Sequence, residues 1–132
     1  MIISTGVDLA EVERIQAALE DPRIGRRFRD RVFTEKEIAY CEKKKLRGRY
    51  ESYAGRFAAK EAVAKAFGTG LGAQLSFQDI EVRRKASGEP YVVLHGEGAK
   101  LARRRGVRQI LLSLSHTANY AVAQVVINGT EA

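Results

Sequence analysis

Glu61 and Lys65 are the residues of this chain best suited to chemistry, because charges stand there where apolar side chains belong. The segment from Ala54 to Gly68, AGRFAAKEAVAKAFG, is rich in alanine and long side chains, so a helix is expected. An apolar stripe runs through Tyr50, Tyr53, Ala54 and Phe57 at helical spacing. Continued by the same steps it reaches Glu61, Ala64 and Lys65, so two charges fall where the pattern predicts core. The opposite side carries Ala58, Ala59, Ala62, Val63, Ala66 and Phe67, and the helix is expected to be mostly buried. A carboxylate and an amine in such surroundings need each other, a metal or a charged ligand. An ordinary surface pair at i,i+4, glutamate first, accounts for the same two residues.

Asp8 supplies a second carboxylate, expected at the end of the first strand and directly before a helix. Helix capping would explain it. Together with Glu61 it can instead hold one hard cation such as Mg²⁺, which takes one or two carboxylates and fills its other positions with water and phosphate oxygens. Lys65, one turn after Glu61, can touch the same phosphates. Arg56 and Lys60 lie on other faces of the helix and can hold a more distant phosphate. Two carboxylates, a lysine and surplus positive charge point to phosphate chemistry, and residue types alone carry the argument no further.

The elements that must position these residues follow from periodicity and caps. Ile2 to Leu9 reads as a strand, and Glu11 to Leu19 as a helix with Val12, Ile15 and Leu19 on one face. Asp21-Pro22 starts a short helix bearing Arg26, Arg27 and Phe28. Thr34-Glu35-Lys36-Glu37 is a capping box, opening a helix to about Leu46. The long helix runs from about Tyr50 to Phe67 and closes on Gly68 as a left-handed cap. Ile80 to Arg83 and Tyr91 to His95 form a hairpin around the turn Ala86 to Pro90, and Gly98 to Arg105 is a basic helix. Gln109 to Ser115 and Tyr120 to Ile127 are two further strands, with His116 in the loop between them. Strand, helices, then mostly strands is an α+β arrangement with a mainly antiparallel sheet.

A chain of 132 residues is expected to form one domain, 1–132. Hydrophobic residues at 45% and charged residues at 30% are those of a globular protein, and no apolar run approaches a membrane helix. The start lacks the features of a secretory signal, and a lone Cys41 excludes a disulfide framework, so the cytoplasm is the expected compartment. A net charge of +7 and a pI near 9.8 favour an anionic partner. The runs Lys43 to Lys45 and Arg103 to Arg105 are otherwise explained as solvated helix faces. Nucleic acid is a rival partner, but it predicts aromatics among basic residues on a strand face, and Tyr50, Tyr53 and Phe57 fall on a helix. It also leaves Asp8 and Glu61 without a role.

Gly6-Val7-Asp8 through Arg14-Ile15 resembles the GxDxxxxxRI element of holo-(acyl-carrier-protein) synthases, and Phe57-Ala58-Ala59-Lys60-Glu61-Ala62-Val63-Ala64-Lys65-Ala66 resembles their second signature. Arg31-Val32-Phe33-Thr34-Glu35-Lys36-Glu37, Ser113-Leu114-Ser115-His116 and Tyr120-Ala121-Val122-Ala123 look like their remaining pattern, so the likeness covers nearly the whole chain. It departs in opening with Ser4-Thr5-Gly6, which would alter a loop before Asp8. The resemblance implies the compact 4′-phosphopantetheinyl transferase fold. The implied reaction moves the phosphopantetheine arm of coenzyme A onto a serine of apo acyl-carrier protein, with adenosine 3′,5′-bisphosphate released, for fatty acid biosynthesis. By the same resemblance Asp8 and Glu61 hold Mg²⁺ and Lys65 stabilises charge on the phosphoryl group. A metal-bound water or Glu61 is favoured over Asp8 as base. Arg56, and Lys60 with it, bind the coenzyme's 3′-phosphate or another part of its nucleotide, with Lys43 to Lys45 assisting. His116 sits at the rim, on phosphate or in proton transfer, unless it only caps the strand turn; His95 is structural or solvated. Arg14, Arg26, Arg27 and Phe28 dock the acidic carrier. Compact members are homotrimers with sites between subunits, which is the expectation here too.

Overall fold

The computed structural model describes residues 1–130; Glu131 and Ala132, the end of the expected domain, lie outside the described residues. In order they form β1 (Ile2–Glu11), α1 (Val12–Glu20), α2 (Gly25–Val32), α3 (Glu35–Glu42), α4 (Leu46–Phe67), β2 (Ile80–Arg84), β3 (Pro90–Leu94), α5 (Gly96–Arg104), β4 (Val107–His116) and β5 (Tyr120–Gly129). β1, β5 and β4 make one antiparallel sheet in that order, and β2 with β3 makes a hairpin. This is the expected α+β arrangement.

α4 lies across one face of the three-stranded sheet. Ala54, Ala58, Ala62 and Val63 are fully buried, as are Ala121, Ala123 and Val125 of β5, so small side chains line the helix–sheet interface and permit close approach. Gly6 is where that approach is tightest. A Cβ there would collide with the carbonyl of Ala62 and lie 2.9 Å from the nitrogen of Ala66. Glycine therefore lets β1 rest directly on α4, two residues before Asp8.

Several boundaries differ from expectation. β1 continues through Asp8 to Glu11, and Asp8 pairs with Ala123 inside the sheet. Asp8 is thus a strand residue, and helix capping does not explain it; Glu11 stands at that cap with no side-chain bond. No loop precedes it either: Ser4 is within β1 and its hydroxyl donates to the carbonyl of Ala66 at 2.6 Å. α3 keeps its capping box but stops at Glu42, and α4 starts early at Leu46, which takes φ +52°. His116 closes β4, and the loop begins with Thr117, whose hydroxyl accepts from Asn119 and Tyr120. Gly68 caps α4 with φ +76°, as expected.

The stripe along α4 is corrected in its second half. Past Phe57 the core lies on the alanine side, and the Glu61–Lys65 side opens to solvent, with Lys65 exposed and Glu61 half-buried. The aromatic part of the stripe serves packing. Tyr53 is buried and donates to Glu42 at 2.6 Å, and Phe57 packs between Phe28 and Phe77.

Candidate active site

β1 and α4 bring Asp8, Glu61 and Lys65 together. The Lys65 ammonium donates to Asp8 Oδ1 at 2.7 Å and to the carbonyl of Val7 at 3.2 Å. The expected i,i+4 pair with Glu61 is not formed; the lysine reaches across to the strand instead. The Lys65 amine is held above its ordinary range by the bond and charge of Asp8. Glu61 is raised from the usual carboxylate value, first by burial and then by the negative charge of Asp8, with Lys65 opposing. Among the described residues no group donates a hydrogen bond to the Glu61 side chain. A half-buried carboxylate without a donor, pressed by a second carboxylate, is short of positive charge.

Two carboxylates suit a hard cation that keeps positions for water and phosphate. Among the described residues no cluster of three or more His, Cys, Asp or Glu side chains is set to hold a metal. The fit is therefore to an ion completed by a substrate, rather than to a closed protein cage.

A second centre lies on another side of α4. Arg56 and Glu61 are about a turn and a half apart, so their side chains leave the helix in different directions. Arg56 is 2% exposed; its Nη1 donates to the Ser52 hydroxyl at 2.9 Å, and its Nε has no partner. It lines a pocket of about 210 Å³ with Tyr40, Lys44, Ser52, Arg84 and His116. His116 Nδ1 lies 3.6 Å from Glu51, the carboxylate of this pocket. Arg56 and His116 thus share one cationic recess, and the run Lys43 to Lys45 contributes Lys44 to it. Tyr40, Ser52 and Arg84 escaped the sequence reading, because α3, α4 and β2 meet only in three dimensions.

Lys60 does not join either centre. Its side chain is 0% exposed and its ammonium meets Glu37 at 2.8 Å, the carbonyl of Phe77 at 2.8 Å and that of Ile80. Burial lowers its pKa, against the pull of Glu37. The expectation that Lys60 binds coenzyme A is corrected: every donor direction is turned inward, tying α4 to α3 and β2. Glu37, read only as the end of a capping box, also accepts from the Val82 amide at 2.7 Å.

The expected docking residues divide. Arg14 lines a groove of about 270 Å³ with Leu9, Phe28 and Phe57. Arg27 lines a neighbouring one of about 500 Å³ with Ile24, Phe28, Val32 and Phe57. The Phe28 ring stacks on Phe57 at 6.3 Å and forms the wall between them. Arg26 is exposed on α2 and lines neither groove. His95 is structural, within 2.9 Å of Glu81.

Comparison with known proteins accords with this arrangement. Residues 4–125 match the model of the 4′-phosphopantetheinyl transferase superfamily. A holo-[acyl-carrier-protein] synthase of Ruminiclostridium cellulolyticum is 50% identical over 123 residues, covering 93% of this chain and 90% of its own. One from Solibacter usitatus is 48% identical, covering 96% of this chain and 98% of its own. The structure of a Bacillus anthracis holo-(acyl-carrier-protein) synthase in complex with CoA (3′,5′-ADP) superposes with a TM-score of 0.81 at 38% identity, over 98% of this chain and 99% of that one. With the likeness spanning both carboxylates, the lysine and the cationic recess, this chain belongs to the holo-(acyl-carrier-protein) synthases of the 4′-phosphopantetheinyl transferase superfamily.

Proposed function

We propose that this enzyme transfers the 4′-phosphopantetheine arm of coenzyme A to a serine of apo acyl-carrier protein through the Asp8–Glu61–Lys65 cluster. The observation that carries the assignment of the site is the Glu61 carboxylate, half-buried beside Asp8 with no donor among the described residues. Asp8 and Glu61 would hold Mg²⁺, which supplies charge neutralisation to a pyrophosphate. Lys65, kept charged by Asp8, faces the transferring phosphoryl group. The serine oxygen forms a bond to the β-phosphorus, the bond to the departing adenosine bisphosphate oxygen breaks, and the serine proton leaves to a base. Glu61, half-buried beside the other carboxylate of the cluster, is the group of this chain that would receive that proton.

Arg56, Lys44 and His116 would take the nucleotide phosphate in the second recess. Arg14, Arg27 and Phe28 would receive the acidic carrier beside Phe57, one turn before Glu61, whereas Arg26 serves the long-range field. Residues 1–132 act as one transferase domain. The chain would assemble as a homotrimer; association of copies, though not their number, is supported by the outer sheet face, where Val7 is 58% exposed, Leu9 59% and Leu111 47%. The two recesses leave α4 on different sides, so a coenzyme molecule spanning them would draw on neighbouring subunits. A second copy is the occupant proposed for that face. The compartment proposed is the cytoplasm, on the lone cysteine, and the pathway is fatty acid biosynthesis.

The test is the intact mass of apo acyl-carrier protein after incubation with enzyme, coenzyme A and Mg²⁺. A gain of one phosphopantetheine, abolished by EDTA and lost by at least a hundredfold in rate in Glu61→Gln, is expected. No gain with wild-type enzyme refutes the transfer; an undiminished rate in Glu61→Gln refutes the site.

A further inference from the structure

Tyr40 stands at the centre of the second recess with three cations around one ring. The guanidinium of Arg56 is 4.1 Å from the ring centroid, the Lys44 ammonium 5.3 Å and the Arg84 guanidinium 5.9 Å. They arrive from three places: the turn after α3, the middle of α4 and the end of β2. Like charges so gathered repel one another, and Glu51, the carboxylate lining the pocket, is turned toward His116 at 3.6 Å. Hydrogen bonds and one aromatic ring hold the cluster. Ser52 accepts from Arg56, Gly88 accepts from Arg84 at 2.6 Å, and the electron-rich face of Tyr40 attracts all three cations. Arg56 Nε remains buried without a partner. An assembled excess of positive charge with an orphaned donor is a site for a dianionic oxygen group, such as a phosphate monoester.

We propose that Tyr40 is the positioning residue that sets the enzyme's preference for a coenzyme bearing a phosphate monoester on its nucleotide. This rests on the reading that the recess takes the coenzyme's nucleotide phosphate. Tyr40 touches no reacting atom; it aims Arg56, Lys44 and Arg84 by cation–π contact. Its hydroxyl is not needed for that, whereas its aromatic face is.

The test is the ratio of kcat/KM for coenzyme A to that for 3′-dephospho-coenzyme A, a ratio that does not depend on the fraction of active enzyme. Tyr40→Leu is expected to lower the ratio about tenfold, and Tyr40→Phe to restore it to within twofold of wild type. Arg84→Gln, at an exposed position that does not threaten folding, is expected to lower it about threefold. Arg56→Gln, which removes the central cation, serves as the control. If Arg56→Gln keeps the wild-type ratio, the recess does not take this phosphate, and both readings fall. If Arg56→Gln loses the preference while Tyr40→Leu keeps it, or while Tyr40→Phe is as damaged as Tyr40→Leu, the role of Tyr40 alone is overturned. Should Tyr40→Leu not fold, an unchanged ratio in Arg84→Gln overturns the cluster.

Discussion

Two charged residues of α4, neighbours in sequence, have opposite fates. Glu61 keeps a free carboxylate at an opening, while Lys60 is sealed against Glu37. Lys60→Met leaves Glu37 charged and unpaired, and is expected to cost about 3–5 kcal/mol in urea unfolding. Adding Glu37→Gln removes the stranded charge and should return part of that loss; the single amide oxygen can replace only one of the two carboxylate oxygens that accept from Thr34 and Val82. A single variant as stable as wild type would refute the pair's structural role. Glu81 makes a pH prediction. Burial pushes its carboxyl up, but hydrogen bonds from Thr34, His95 and Arg83 prevail and bring it down to about 2 from an ordinary 4.5. A carboxyl depressed on folding stabilises fully above its unfolded value and loses that contribution as pH falls through the folded one. Stability should therefore drop by roughly 2–3 kcal/mol between pH 4.5 and 2, and Glu81→Gln should flatten this part of the profile. An unchanged slope in the variant would remove Glu81 as the cause. Asp8 is the residue whose sequence reading was most ambiguous, since a strand end and a helix cap look alike until the ladder to Ala123 is seen.

At the scale of elements, the site depends on how closely β1 lies on α4. Gly6 is the point of contact, and the carboxylates meet only because no Cβ intervenes. Gly6→Ala is expected to push the strand away, lowering kcat by at least tenfold and stability by about 1–3 kcal/mol. The activity loss should exceed what the unfolded fraction explains; kcat unchanged in folded Gly6→Ala would show that the approach does not set the chemistry. The helices and strands were legible from periodicity and caps, because Thr34 and Gly68 act on their own neighbours; Asp21-Pro22 instead forms a turn, and α2 begins only at Gly25. The end of α3 and the start of α4 were not. Between them run Lys43, Lys44 and Lys45, good helix formers in a turn that tertiary contacts impose, with Lys44 N bonded back to Cys41.

For the whole molecule, the exposed apolar sheet face and the two separate recesses make one prediction. Asp8→Asn and His116→Ala chains, each nearly inactive alone, should regain up to about a quarter of wild-type activity when unfolded and refolded together, because a quarter of mixed interfaces carry both intact halves. No recovery would mean that each chain supplies its own complete site. Leu9→Asp at the sheet face should shift the mass in light scattering to that of a single chain. A retained oligomer would place the interface elsewhere. A net charge of +7 suits encounter with an acidic carrier, and the rate of carrier modification should fall with salt in consequence.

The sequence by itself carried the resemblance to the family, the α+β order of elements and the choice of Asp8, Glu61 and Lys65 as the residues to propose for the site. Motif spacing and local periodicity are properties of residues near one another in the chain. Only the tertiary structure decided that Lys65 pairs with Asp8 rather than Glu61, that Lys60 is buried against Glu37, and that Tyr40 gathers cations from three elements. Charge does not reveal its partner in sequence. A lysine among alanines is written the same way whether it points to solvent, to a ligand or to a carboxylate brought in from a distant helix, and only the packing of α4 on its neighbours assigns each one its side.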